Sequence, residues 1–296
     1  MRITRILRPG IGQLGTHDPH EVFFPDTTDA PVDFVENSPS ITIVVPSYNQ
    51  GVFLGDTLKS IVDQQYPNLE LIVVDGGSTD STLDVIKEYE SNLAWWISEK
   101  DSGQASAINK GFRRSSGEIM AWVNSDDMIV PGALAYVSRF FEDNPDVQVL
   151  YGNRIVIDEA GLEIGRWILP GHSREVLKWT DFVPQETLFW RRSAWESVGS
   201  HIDENFSFAI DWDFLLRLSN QNLHMVHVPA FLGLFRVHGL QKTSSQMSST
   251  GRREMDVIRR RELGFSPTRW LIIMRTAPFL VIARWLDFRY HISKRK

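Results

Sequence analysis

Apolar and polar positions along the first half of the chain alternate between two periods. Ile41-Thr-Ile-Val-Val45 is a β-branched run suited to an interior strand, and Leu54, Leu58, Ile61 and Val62 follow at helical spacing. Leu69 to Val74 predicts a second strand, and Asp80 an N-cap for a helix that buries Leu83, Ile86 and Tyr89. Leu93 to Ile97 reads as a third strand, and Ala105, Ile108 and Phe112 mark the next helix. Glu118 to Val123 predicts a fourth strand, and Pro131 suits the first turn of a helix with apolar positions Leu134, Val137 and Phe141. Strands alternating with helices predict a parallel sheet with right-handed crossovers.

After Val147 to Gly152 the pattern changes. Arg154 to Asp158, a turn at Glu159-Ala-Gly161 and Leu162 to Ile168 predict a β-hairpin, and Thr187 to Arg191 another strand. Phe208 to Leu218 reads as a helix burying Trp212, Leu215 or Leu216, and Leu218; Leu223 to Val228 and Phe231 to Val237 return to strand. This mixed α/β half is expected to close over the first.

Each strand of the first half ends in polar chemistry: Tyr48 and Asn49, then Asp75, then Asp101, then Asp126 and Asp127. A parallel sheet brings these carboxyl ends to one edge, where ligands of open α/β sheets bind. Adjacent carboxylates repel unless a cation sits between them, and hard divalent cations prefer oxygen ligands. A turn with Asp as a helix cap would leave the same residues, so the pair alone does not decide the matter.

The chain has 296 residues, 42% hydrophobic and 23% charged, with a formal net charge of −6, which gives no general signal for nucleic acid. From residue 251 onward twelve Lys/Arg face four Asp/Glu, so a basic tail follows an acidic body. The absence of cysteine excludes disulfides and thiolate chemistry. MRITRILRPG lacks the apolar core of a signal peptide and no run reaches about 18 apolar residues, so the body is expected to be cytoplasmic.

Five segments in order carry a resemblance: Pro46-Ser-Tyr-Asn49; Asp75-Gly-Gly-Ser-Thr-Asp80; Glu99-Lys-Asp-Ser-Gly-Gln104 with Ala107-Ile-Asn-Lys-Gly111; Asn124-Ser-Asp-Asp127; and Ile210-Asp-Trp-Asp-Phe-Leu-Leu-Arg217. Together they resemble a family 2 glycosyltransferase of the GT-A fold, over roughly residues 40 to 245. The fold this implies is α/β, a Rossmann-like, mostly parallel central sheet flanked by helices, with a smaller mixed acceptor-side segment and a C-terminal helical tail. The expected divisions are an irregular arm over 1–38, a catalytic domain over 39–245 (nucleotide-sugar half 39–152, acceptor half 153–245) and a basic tail over 246–296.

The resemblance also implies a nucleotide-sugar donor, a divalent metal (Mn²⁺ or Mg²⁺) and inverting transfer to a hydroxyl. It assigns Pro46, Tyr48, Asn49, Asp75, Asp101, Asn124 and Asp126 to the donor, with Tyr48 stacking and Asp75 accepting from an imide N–H if the base is uracil or thymine. Asp126 and Asp127 would hold the metal; Asn124 stands at the first position of the commoner Asp-x-Asp form, so which aspartate ligates is open. A general base is needed for the acceptor hydroxyl; Asp211 matches it, with Asp213 as second choice. Helix positions one and two apart point about 100° and 200° away from each other, so the two cannot face one cleft. Arg217 is expected to pair with an acid, Arg236 or His238 to reach the pyrophosphate or metal, and Gln185 and Glu186 to line the acceptor site.

The tail interleaves apolar residues with Arg and Lys, and Trp270 to Leu286 is interrupted by Arg275, Pro278 and Arg284. It suits one or two helices on the anionic inner face of a membrane, in keeping with a glycan or lipid-linked acceptor; a helix packed on the domain is the alternative. A nucleotidyltransferase would need a basic, Gly-rich loop after the first strand, where this chain has PSYNQG. A catalytically inactive carbohydrate-binding relative would have less reason to keep Asp75, Asp126, Asp127 and Asp211.

Overall fold

The computed structural model describes residues 17–24, 38–239 and 247–293. Most of the expected arm over 1–38, residues 240–246 and the last three residues lie outside that range.

Four strands, β1 (Ile41–Ser47), β2 (Leu69–Asp75), β3 (Trp95–Ser98) and β4 (Ile119–Trp122), form a parallel sheet in the order β3-β2-β1-β4. Period-2 alternation sends β1 side chains to opposite faces: Ile43 and Val45 join one core, Val44 the other. Both faces are buried, so each needs helices. On one side pack α1 (Gly51–Val62), whose Leu54, Leu58 and Ile61 are fully buried, and α4 (Ala133–Asp143), through Leu134, Val137 and Phe141. α2 (Thr82–Glu88) adds Ile86, while Leu83 and Tyr89 are only half-buried. On the other side α3 (Gln104–Arg114) lies so close to β1 that a Cβ on Gly111 would stand 2.5 Å from Val44 Cγ1. Each fully buried aliphatic side chain contributes about 1.5–3 kcal/mol.

Four sequence expectations shift. Asp80 is not the N-cap of α2, which is Ser81; its carboxylate accepts from Thr82 N and from Gly51 N, tying the first two loops together. Pro131 is not in the first turn of α4: a two-residue strand, β5 (Met128–Ile129), follows the acids, and Gly132, at φ 77°, caps the helix. Val147 to Asp158 is not broken at Gly152 but gives one long strand, β6 (Val149–Ile157), which forms the expected hairpin with β7 (Glu163–Trp167). The last two predicted strands also merge, into β9 (Met225–Arg236), which pairs parallel to β6 with register shifts around Asn153.

After β7 come α5 (Arg174–Leu177), a 3₁₀ turn at Gln185–Thr187, β8 (Phe189–Arg191), α6 (Arg192–Ser197) and α7 (Ile210–Asn220). β8 lies antiparallel between β4 and β6, so the path among the described residues is β3-β2-β1-β4-β8-β6-β9-β5, with β7 off this path and paired to β6. His20 of the N-terminal segment bridges Glu163 of β7.

The tail forms α8 (Arg252–Leu263) and α9 (Arg269–Ser293). Both pack on the domain, Ile258 fully buried and Phe279 4.5 Å from Phe182 between ring centres. No helix among the described residues is long and apolar enough to cross a membrane.

Candidate active site

The carboxyl ends of β1 to β4 open into a cleft of about 1590 Å³, whose far wall comes from α7, α8 and α9. Pockets for one small ligand hold roughly 300–1,000 Å³, so this one has room for two reactants.

At the near rim Pro46, Tyr48 and Asp101 line the cleft, and the Tyr48 ring is 62% exposed, free to take a flat partner on its face. Asn49 does not line it: at φ 50° it turns away, and its Oδ1 accepts from Thr79 N. Asp75 is fully buried beneath the rim, where its oxygens accept from Gly77 N, Ser78 N and the hydroxyls of Ser78 and Ser98. Asp75 is thus not among the residues that line the cleft, and its carboxylate shapes the turn at the rim. That turn needs Gly77, at φ 82°.

Asn124, Asp126 and Asp127 follow β4 at the floor. The two aspartates differ sharply. Asp126 opens to the cleft, and His238 Nε2 lies 2.9 Å from its Oδ2. Asp127 is 1% exposed and accepts from Arg236 N at 3.1 Å and Asn124 Nδ2 at 3.2 Å. Burial, then the Asp126 and Glu186 charges, hold its carboxyl well above the ordinary range. Asn124 also accepts from Gln104 Nε2. Arg236 is buried behind this loop, donating to Asp126 O, Glu159 O and Asp56, so its guanidinium props the acids from below and does not line the cleft. His238 is buried too, its ring 4.6 Å from Phe53.

Gln185 and Glu186 both line the cleft. Glu186 is neutralised by a buried two-pronged pair with Arg154, Nε to Oε1 at 2.7 Å and Nη2 to Oε2 at 2.5 Å. Gln185 Nε2 donates to Trp122 O, which fixes the amide and leaves a buried Oε1 with no hydrogen-bond partner among the described residues. A ligand hydroxyl or N–H is the complement of that oxygen.

On the far wall Asp211 faces the cleft, with Oδ1 accepting from Trp212 N. Burial raises its carboxyl above the usual range, against the Trp212 hydrogen bond. Asp213, the second-choice base, is 0% exposed, paired with Arg217 and Arg261, and not among the residues that line the cleft. Arg217 finds its acid there, as the i,i+4 spacing predicts.

Asp181 was not legible in the sequence. It lines the cleft, and burial, then the Asp211 charge, hold its carboxyl well above the usual range. Its stretch, Trp179-Thr-Asp-Phe-Val-Pro184, has no periodicity to give it away. Arg154 did leave a signal, a cation inside the apolar run of β6.

A family model described as "Glycosyl transferase family 2" matches residues 42–198, more than half of the chain. The chain belongs to that family. An uncharacterized glycosyltransferase of Mycobacterium tuberculosis (strain H37Rv) is 30% identical over 186 residues, 61% of this chain and 69% of the relative. Chondroitin synthase of Escherichia coli is 30% identical over 184 residues, 61% of this chain and 26% of that protein. The crystal structure of S. aureus TarS 1–349 in complex with UDP-GlcNAc superposes with a TM-score of 0.62 at 19% identity, covering 81% of this chain and 71% of the other. At that identity the likeness establishes the fold, which is GT-A.

Proposed function

We propose that this glycosyltransferase is inverting and metal-dependent, moving a hexose-type sugar from a nucleotide-diphosphate sugar, UDP favoured, to a hydroxyl of a glycan or lipid-linked acceptor in cell-surface polysaccharide assembly. The observation that carries the reading is that Asp126 and Asp211 face one cleft, the first from its floor and the second from its far wall. The likeness to a protein solved with UDP-GlcNAc supports the UDP preference, and the chondroitin synthase relative supports polysaccharide assembly.

In this reading residues 39–245 are the catalytic unit, and Tyr48 stacks on the base with Pro46 and Asp101 beside it. Asn124 borders the ribose or diphosphate. Asp126 holds the divalent cation, with His238 Nε2 close enough to serve as a second ligand. The donor set fits, because Mg²⁺ is commonly bound through one or two carboxylates plus substrate phosphates and water. When bound, the cation neutralises the charge of the leaving diphosphate.

Asp211 takes the proton of the acceptor hydroxyl as its oxygen bonds to the anomeric carbon. The bond from that carbon to the β-phosphate oxygen breaks, releasing the nucleoside diphosphate. A single displacement of this kind inverts the configuration.

The acceptor end differs in character. Arg252 and Arg269 line it without a hydrogen-bond or ion-pair partner among the described residues, beside Ile272, Ile273 and Leu280. Cations next to apolar side chains support an acceptor with an anionic, lipid-borne part. On the outer side of α9, Trp270, Met274, Val281, Trp285, Phe288 and Ile292 form an exposed stripe at helical spacing, with Arg284 and Arg289 on its flanks. We assign that stripe to the anionic inner surface of the cell membrane.

The test is nucleotide release from UDP-, GDP- and dTDP-sugars with Mn²⁺, Mg²⁺ or EDTA, by wild type and Asp211→Asn. Metal-dependent release from one donor, absent in the variant although donor still binds, is expected. Failure of every donor to bind would overturn the reading.

A further inference from the structure

The first N–H groups of a helix have no backbone partner within it, and Ala209, the N-cap of α7, has no side chain that could cap it. The turn that leads into α7, up to its N-cap, is held from α8. Glu254, 6% exposed, takes four hydrogen bonds: from Ser207 N at 3.0 Å, Ser207 Oγ at 2.9 Å, Phe208 N at 2.8 Å and Ala209 N at 3.0 Å. Ala209 is the N-cap of α7, two residues before Asp211.

Two residues after Asp211 stands a second point of attachment, Asp213, held by Arg217 of its own helix and by Arg261 of α8. Between them Trp212 is fixed by its Nε1, which donates to Leu177 O at 2.7 Å, while Arg259 of α8 lies 5.3 Å from its ring centre. Glu254, Ile258 and Arg261 are spaced i, i+4, i+7, so one face of α8 makes the docking, with Ile258 fully buried at its centre. The turn that carries Asp211 is gripped on both sides by α8, and Asp211 itself is left to the cleft.

We infer that α8 is part of the active site, a clamp in which Glu254 and Arg261 act as positioning residues that aim Asp211 at the acceptor hydroxyl. The inference rests on Asp211 as general base and moves the catalytic unit beyond residue 245, to include at least residues 252–263. Glu254 suits the task because a carboxylate at a helix N-terminus is stabilised by the helix dipole as well as by the hydrogen bonds. Burial acts against its charge, but the N–H donors of Ala209, Phe208 and Ser207 hold its pKa below the ordinary glutamate value. Geometry of the base matters steeply, since misplacement by about 1 Å costs on the order of 100-fold in rate.

The experiment uses the full chain with Glu254→Gln, Glu254→Ala, Arg261→Gln and Asp211→Asn. Two quantities are read: amide hydrogen exchange at residues 207–213, and kcat and donor KM for the nucleotide sugar that is turned over. Glu254→Gln keeps one good acceptor oxygen and Glu254→Ala none. The expected result is faster exchange at 207–213 with the sheet still protected, and kcat falling in the order wild type, Gln, Ala, by about tenfold to 100-fold, with donor KM within about twofold. Unchanged exchange in Glu254→Ala, or a kcat equal to wild type, overturns the clamp while an inactive Asp211→Asn leaves the base reading standing. Full turnover by Asp211→Asn overturns both. Loss of donor binding together with sheet protection in every Glu254 and Arg261 variant assigns α8 to global folding, and also overturns the clamp.

Discussion

His238 Nε2 and Asp126 Oδ2 lie 2.9 Å apart at the end of the acid loop, joining a residue at the end of β9 to one that follows β4. Whether the imidazole ligates the cation itself or holds the carboxylate that does, its removal should weaken metal use. Residues that orient ligands cost about 10–100-fold in metal affinity or activity when replaced. His238→Ala is therefore expected to raise the Mn²⁺ concentration for half-maximal activity by about 10–100-fold, and Asp126→Asn by more. Mn²⁺ titration of nucleotide release, paired with Mn²⁺ binding in the presence of UDP, measures both. Equal Mn²⁺ requirements in wild type and Asp126→Asn would remove the metal from this loop.

Asp181 and Asp211 face the cleft with raised pKa values, Asp181 through burial and then the Asp211 charge, Asp211 through burial. A base must be unprotonated, so activity should climb with pH through a midpoint above the ordinary aspartate value of about 3.9. In Asp181→Asn the midpoint should stay in place, because burial raises the Asp211 carboxyl and the Asp211 charge keeps Asp181 protonated while Asp211 titrates. The stability sign follows from the same shift. A carboxyl whose folded pKa is raised contributes stability that is full below the unfolded pKa and lost as pH rises through the folded one. Asp181→Asn should thus raise Tm at neutral pH, the gain vanishing in acid. Rate profiles and melting curves across pH read the two effects, and a Tm gain that is the same at every pH would contradict the burial of charge.

Much of this site could be read before any coordinates. Asp101, Asp126 and Asp127 were legible because buried strands announce themselves by β-branched runs, and a parallel sheet brings their ends together. Sequence could not tell which acids stay in the cleft. Asp75 ends β2 and Asp126 follows β4, yet Ser78 and Ser98 close over the first, while His238 approaches the second. Arg236 and His238 sit two residues apart and are both buried, yet the first reaches the backbone of the acid loop and the second the Asp126 carboxylate, a difference set by the path of the chain at and after the end of β9. The tail was ambiguous for a clear reason. α9 is apolar on two opposed faces, one packed through Phe279 and Ala283 and one exposed at Trp285 and Phe288, so the apolar pattern alone could not choose between a membrane surface and the domain.

The Arg154–Glu186 pair lines the same cleft as the acid loop and Asp211, and both its charges act on Asp127 and on Asp211. With side-chain exposures of 10% and 1%, it is poorly placed to be repaired by water. Glu186→Gln leaves the Arg154 charge uncompensated and should cost about 3–5 kcal/mol of stability. The double replacement Arg154→Met with Glu186→Leu removes both charges and should recover most of that loss while abolishing turnover. Urea unfolding of the three proteins gives the comparison. A Glu186→Gln variant as stable as wild type would mean that the pair is solvated.

The outer stripe of α9 has a simple geometric test. Trp285 and Phe288 are 53% and 63% exposed and point away from the cleft wall that Ile272, Ile273 and Leu280 form on the inner side. Replacing both with Asp removes apolar area and adds two negative charges beside Arg284 and Arg289, with no contact to the acid loop or to Asp211. Each Lys or Arg near an anionic surface is worth about 1 kcal/mol, so added Asp residues act against several such terms at once. Wild type is expected to sediment with vesicles rich in phosphatidylglycerol and to be released by high salt, while Trp285→Asp/Phe288→Asp stays in solution. Donor hydrolysis without vesicles should be the same in both proteins, because the stripe touches no reactant. If the double variant still binds vesicles, the attachment belongs elsewhere. If wild type forms a dimer in solution that the variant does not, the stripe covers a second copy of the chain and the membrane assignment falls.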